Sequence, residues 1–126
     1  MPKGVREAAD GVTVFDVIKV NIFGSRQPRR IAVYPSKRAH VSGMVEDPTQ
    51  NEVHILSMTG SIRRRITSEE LVALEKAIAV DQDQRPVPAV DFHFSEKGKS
   101  RKRKIIFKDK EGRDYFIEKL TELRTS

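Results

Sequence analysis

Cysteine is missing from all 126 residues, which rules out disulfides, thiolate metal sites and a cysteine nucleophile. Tryptophan is missing as well, so Phe and Tyr alone supply aromatic rings. No apolar run approaches the ~20 residues that cross a bilayer, and no transmembrane segment is expected. Met1-Pro2-Lys3-Gly4-Val5-Arg6 has no apolar signal core behind it. Secretion is therefore not expected, and a cytoplasmic location is the default. Patterns that carry chemistry are equally sparse: there is no Gly-rich phosphate loop, no G-x-S-x-G and no H-E-x-x-H. His40, His54 and His93 never fall at the spacing of metal ligands, and each reads as an outward-facing strand residue. Carboxylates gather only as Glu69/Glu70, Asp81/Asp83 and Asp109/Glu111/Asp114, which suits loop solvation and helix N-termini. An enzyme, a metal and a cofactor are all unexpected.

Charge is what the chain has in excess. Hydrophobic residues make up 37% and charged residues 33%, enough for one core under a heavily charged surface but a strain for two. The net charge is +6, and residues 96–104 alone hold +5, six Lys/Arg less Glu96. Like charges at that density repel and stay hydrated, so the stretch reads as a mobile basic loop. An anionic membrane lipid, an acidic protein segment or nucleic acid would neutralise it.

Met1–Gly11, polar and rich in small residues, reads as a disordered tail, and residues 12–126 as one domain. Val12–Phe23 is the richest β-branched run, with both parities apolar, and reads as the first strand. Gly24–Pro28 is turn chemistry, and Arg29–Tyr34 follows as the second strand of a hairpin. His40–Glu46 is a weaker strand, and Asp47–Asn51 a turn. Glu52–Met58 and Ser61–Ile66 are the next strands, the latter with Ile62 and Ile66 facing inward. That parity turns Arg64 toward the core, an awkward position best met at a sheet edge, and Arg63-Arg64-Arg65 reads as surface strand rather than site. Thr67-Ser68-Glu69-Glu70 is a capping box, and Leu71, Leu74 and Ile78 mark a short inserted helix behind it. Asp81–Ala89 is a connector.

Val90–Arg124 organises the rest. Val90, Phe92 and Phe94 alternate with Asp91 and His93, the two-residue period of a half-buried strand. The basic loop follows, then a short strand at Ile105-Ile106-Phe107. Phe116, Ile117, Leu120 and Leu123, three or four residues apart, predict a closing helix. The whole is an α+β chain, an antiparallel barrel or sandwich of about seven strands capped by its C-terminal helix.

Over residues 12–124 this pattern resembles the pleckstrin-homology-like superfold. Lys19-Val20-Asn21-Ile22-Phe23-Gly24 followed by Arg29–Tyr34 is similar to the opening hairpin of such domains, and Phe92–Arg124 to their last two strands and helix. Similar hairpins occur in the basic tail domains of class I myosins. The resemblance implies that the first, third and last loops, here 24–28, 47–52 and 96–104, gather at one open end. Phosphoinositide-binding members carry a basic residue on the first strand, which Lys19 matches, and a cation-x-Arg pattern on the second, from which Pro28-Arg29-Arg30 departs. Asp47 and Glu52 make the third loop acidic, a further departure.

The expected function is a non-enzymatic, monomeric interaction module. An anion-binding rim of Lys19, Arg26, Arg29, Arg30, Lys97, Lys99, Arg101, Lys102, Arg103 and Lys104 would engage a phosphoinositide membrane or an acidic protein segment. Nucleic-acid binding through the same loop is one alternative. Lys99–Lys104 also matches a short nuclear-import run, which would make the protein nuclear. Docking within a cytoskeletal or trafficking assembly is the other. Loop 96–104 has no aromatic residue on which a base could stack, which favours a reader of headgroups or backbone over a reader of bases.

Overall fold

A computed structural model describes residues 1–8, 11–35 and 49–125. Eight strands and one α-helix make up the regular structure among them: β1 (Val5–Glu7), β2 (Thr13–Val20), β3 (Arg26–Tyr34), β4 (Glu52–Leu56), β5 (Ile62–Thr67), β6 (Leu71–Val80), β7 (Pro86–Glu96), β8 (Lys99–Ile106) and α1 (Lys110–Thr125). The strands form one antiparallel sheet in the order β5-β4-β3-β2-β8-β7-β6, with β1 added to β2. β5 at one end of this order and β6 at the other supply Ile66 and Leu71 to a single core with Phe15, Val17, Ile31, Val53, Phe92 and Phe94. The sheet therefore curls so that one face of every long strand looks inward. α1 lays Phe116, Leu120 and Leu123 into that interior, each at most 3% exposed. Burying such a side chain contributes about 1.5–3 kcal/mol, so the helix is a main member of the core. Phe116 meets Phe15 edge-on, with ring centroids 5.2 Å apart. Asp109 caps the helix, its Oδ1 accepting the Gly112 N–H at 2.7 Å.

Four sequence expectations change. Met1–Gly11 is not a free tail over its described length: Val5 is buried and pairs with Phe15, and the Asp16 N–H donates to the Gly4 carbonyl at 2.7 Å. The inserted helix after the capping box is a strand. The Thr67 N–H does donate to Glu70 Oε1 at 2.9 Å, but only a 3-10 turn, Ser68–Glu70, follows before β6 pairs with β7 from Leu71 to Val80. β7 has eleven residues and needs a ladder partner along its far edge, and that requirement overrides the helical spacing of Leu71, Leu74 and Ile78. The Gly24–Pro28 turn shifts back to 21–25, and β3 starts at Arg26 with Pro28 inside it, opposite Ile18. Residues 96–104 are no loop: Lys97-Gly98 is a two-residue turn and the other five cations lie on β8, which pairs with β7 as far as Lys99. The strand expected at His40–Glu46 and part of the turn at 47–51 lie outside the described residues.

The 21–25, 57–61 and 97–98 turns share one end of the sheet. β4 and β2 both run antiparallel to β3, and β8 runs antiparallel to β2, with Lys104 opposite Val20 and the hairpin continuing beyond it. The connection at 81–85 lies at the other end of β7.

Candidate anion-binding mouth

On four strands the inward-facing row changes from apolar to cationic as it approaches this shared end. On β2, Phe15 and Val17 are core residues and Lys19 is the next residue of the same parity. β3 has Ile31 and Val33 in the core and Arg29 above them, while β8 has Ile105 in the core followed by Arg103 and Arg101. β5 has Ile66 in the core and Arg64 above it, and a bulge follows: Ile55 pairs with Arg64 but Leu56 pairs with Ile62, so Arg63 is the extra residue. The bulge reverses the side-chain parity. Ile66 and Arg64 look inward, whereas Ile62, expected inside, is 54% exposed.

These residues enclose a cavity of about 320 Å³ lined by Lys19, Gln27, Arg29, Ile55, Arg63, Arg64 and Arg103. That is room for about ten water molecules. Five of the seven lining residues are cations and none is a carboxylate. The guanidinium of Arg29 donates to the Pro28 carbonyl at 2.8 Å and to Gln27 Oε1 at 3.1 Å, and its buried Nε has no partner among the described residues. Arg103 donates to the Lys102 carbonyl at 2.9 Å. Among the described residues the counter-charge here is Glu96, bonded to Arg64 and 3.5 Å from Arg101. Arg64 also lies 5.2 Å over the Phe94 ring, which gives its half-buried charge a second partner. Burial pushes the Lys19 ammonium below its usual pKa, and Arg29, Arg103, Arg64 and Arg63 push it further. Burial and the charges of Arg103 and Arg101 likewise lower Arg64. With Glu96 offsetting one of the five charges, the cavity still concentrates positive potential in a partly dry setting, where an anion is attracted more strongly than in open water.

Of the ten sequence-stated rim residues, the cavity brings together Lys19, Arg29 and Arg103. Arg101 is beside it through Glu96. Arg30 points the other way, its Nε 3.2 Å from Asp16, which Arg6 also holds at 2.9 Å. Lys102 and Lys104 share the outward parity of Ile106 on β8. Arg26 borders a second concavity on the outer face, about 390 Å³, with Ile18, Pro28, Met58, Val87 and Ile106. Lys97 and Lys99 are exposed at the β7–β8 turn. Arg63 and Arg64, read from sequence as surface strand, are members of the site: Arg64 keeps the inward parity of Ile66, and Arg63 joins the lining at the bulge. Arg65 stays outside, 3.0 Å from Glu52.

The histidines offer no rival centre. His54 is buried rather than exposed, 2.9 Å from Glu52 Oε1 and with its ring tilted 45° to that of Tyr34, centroids 4.5 Å apart. Burial works to raise the Glu52 carboxyl, but hydrogen bonds from His54 and Arg65 outweigh it and hold the group below its usual pKa. His93 lies 3.3 Å from the exposed Glu75, and His40 is outside the described residues. Among the described residues no group of three or more His, Asp or Glu side chains could hold a metal, and no helix is long and apolar enough to cross a membrane. Compared with protein-family models, with curated proteins and with solved structures, the chain finds no match in any of the three.

Proposed function

We propose that this chain is a non-enzymatic interaction module of pleckstrin-homology-like architecture whose open end binds a phosphate-bearing anion. One observation carries the reading: five cations from four strands line a single cavity with no carboxylate among the lining residues. Like charges held together cost stability, and a bound anion removes that cost. Arginine suits the role because its planar fork matches phosphate oxygens in pairs, and Arg29, Arg63, Arg64 and Arg103 supply four such forks. Seven strands, β2 to β8, followed by a helix that fills the curl, support the architectural part of the reading. A cytoplasmic location fits such a module.

Nucleic acid is the weaker partner, since no aromatic ring lines the cavity itself and, among the described residues, only Phe23 on the adjoining turn is an exposed ring, where a strand of bases stacks on several. Calorimetric titration with sodium tripolyphosphate tests the proposal, with a single-stranded oligonucleotide and polyglutamate run beside it. Saturable tripolyphosphate binding is expected, and Arg29→Ala should weaken it about tenfold, the loss of one charge-assisted hydrogen bond. Equal affinity in the variant would remove the mouth from the argument. Tighter binding of the oligonucleotide or of polyglutamate would reassign the partner.

A further inference from the structure

Two apolar features lie outside the mouth, a hole and a knob. The hole is the outer concavity of about 390 Å³, where seven of the eleven lining residues are apolar, Ile18, Pro28, Met58 and Ile106 among them. Ile18 and Met58 remain 38% and 41% exposed. An apolar cavity of about 150 Å³ stays dry and holds a benzene ring, so this one has room for an aromatic and an aliphatic side chain together.

The knob is the turn from β2 into β3, Asn21-Ile22-Phe23-Gly24-Ser25, where Ile22 is 77% and Phe23 89% exposed. Its backbone is fixed. The Asn21 N–H donates to the Ser25 carbonyl at 2.9 Å and the Gly24 N–H to the Asn21 carbonyl at 3.0 Å. Asn21 Oδ1 accepts from the Phe23 N–H at 2.9 Å and the Ser25 N–H at 2.8 Å. The same bonds recur at 81–85, where the Asp81 N–H donates to the Arg85 carbonyl and Asp81 Oδ1 accepts from the Asp83 and Arg85 N–H groups. There the tip residues are Gln82 and Asp83. This backbone thus accepts polar tips, and the apolar pair at 22–23 has its reason elsewhere.

Hole and knob belong to one hairpin. Ile18 pairs with Pro28 on the ladder that ends in the turn, three residues or about 10 Å of strand before Asn21. The turn's hydrogen bonds hold the tip out of the hole beside its own base, but the tip of a second copy can enter it. Because each copy carries both parts, one two-fold axis satisfies both, and the contact closes at two. A foreign partner would have to bring a knob, a hole or both; a second copy already has them. Charge agrees with this. The chain carries +6, yet the lining of the hole sets Arg26 and Lys108 against Asp16 and Asp81, so two cationic copies can meet there. Two tips in two holes would cover roughly 1,200 Å², the small end of specific interfaces, which places association in the micromolar range. We propose that this chain pairs with a second copy of itself, Ile22 and Phe23 of each filling the outer apolar concavity of the other. None of the residues that line the mouth takes part.

The full chain has no tryptophan, so Phe23→Trp places a single fluorophore on the knob. Between about 1 and about 500 μM its emission should shift to the blue while sedimentation velocity records monomer giving way to dimer. Ile22→Ser with Phe23→Ser removes the knob and should weaken pairing about a hundredfold. Ile18→Glu, added to Phe23→Trp, spoils the hole and should abolish the blue shift; Met58→Glu replaces it if circular dichroism shows that the Ile18 variant does not fold. Ile78→Ser, at a 70% exposed apolar position outside both parts, should leave pairing unchanged. A chain that stays monomeric over the whole range overturns the proposal. So does a dimer that survives loss of the knob or of the hole, or one that Ile78→Ser dissolves, which moves the contact to the free edge of β6.

Discussion

Lys19 shows how the fold holds a charge at a cost. It continues the row of Phe15 and Val17, so its stem leaves the core and its ammonium emerges among Arg29, Arg103, Arg64 and Arg63. Burial and these neighbours lower its pKa, which means folding disfavours the charged form. The sign follows from linkage. For a base whose folded pKa is depressed, the penalty is complete below the folded value and fades as pH rises toward the unfolded value near 10.5. Lys19→Met keeps the stem and removes the charge. It should therefore raise the melting temperature at neutral pH while weakening tripolyphosphate binding about tenfold. In the native chain, affinity should fall on the alkaline side at a pH below the ordinary lysine value, and binding there should take up protons. Calorimetry in two buffers of different ionisation enthalpy would detect that uptake, and its absence would separate Lys19 from the ligand. Lys19 was legible from sequence as a basic residue on the first strand. Arg29 and Arg103 were legible as members of the same rim, but Arg63 and Arg64 were not, because which cations converge depends on strand register rather than on their density along the chain.

At the level of elements, β8 corrects the picture of a basic loop. Its period of two sends Arg101 and Arg103 inward and Lys102 and Lys104 outward. A diffuse patch would respond equally to any pair of these charges; a cavity would not. Arg103→Ala should reduce tripolyphosphate affinity about tenfold, and Lys102→Ala with Lys104→Ala by less than about threefold, although the latter removes more charge. Equal losses would return the site to a patch. The hairpin that presents β8 depends on Lys97 and Gly98, with φ of +51° and +78°. Gly98→Val, β-branched at a position of positive φ, should destabilise the protein by about 1–3 kcal/mol, measured by denaturant unfolding. Sequence periodicity identified β7 and α1 because each buries a regular row against one core. It misassigned 71–80 because Leu71, Leu74 and Ile78 satisfy a helix as well as an edge strand, and only β7's unpaired edge decides between them. It also missed the bulge at Arg63, since no proline or glycine marks it.

The whole molecule can be read as a curled sheet with two chemically different ends to its inward rows, a dry one filled by α1 and a charged one left open. Salt separates these contributions. Without ligand, raising ionic strength from about 50 to about 200 mM shortens the Debye length from roughly 14 to 7 Å and screens the repulsion among the five mouth cations. The melting temperature of the free protein should therefore rise. Tripolyphosphate at a hundred times its Kd adds about 2.7 kcal/mol of stability at either salt concentration. At a fixed ligand concentration, however, the same increase in salt weakens binding and shrinks the ligand-induced shift. The two effects of salt thus have opposite signs and one origin. Lys19→Met combined with Arg103→Ala should flatten both together. Alanine at Lys97 and Lys99, exposed at the β7–β8 turn, should leave both largely intact. If salt still raised the free protein's melting temperature as much in the mouth double variant, the repulsion would reside in the general surface charge, and the cavity would lose its claim to be the place where this chain stores its affinity for anions.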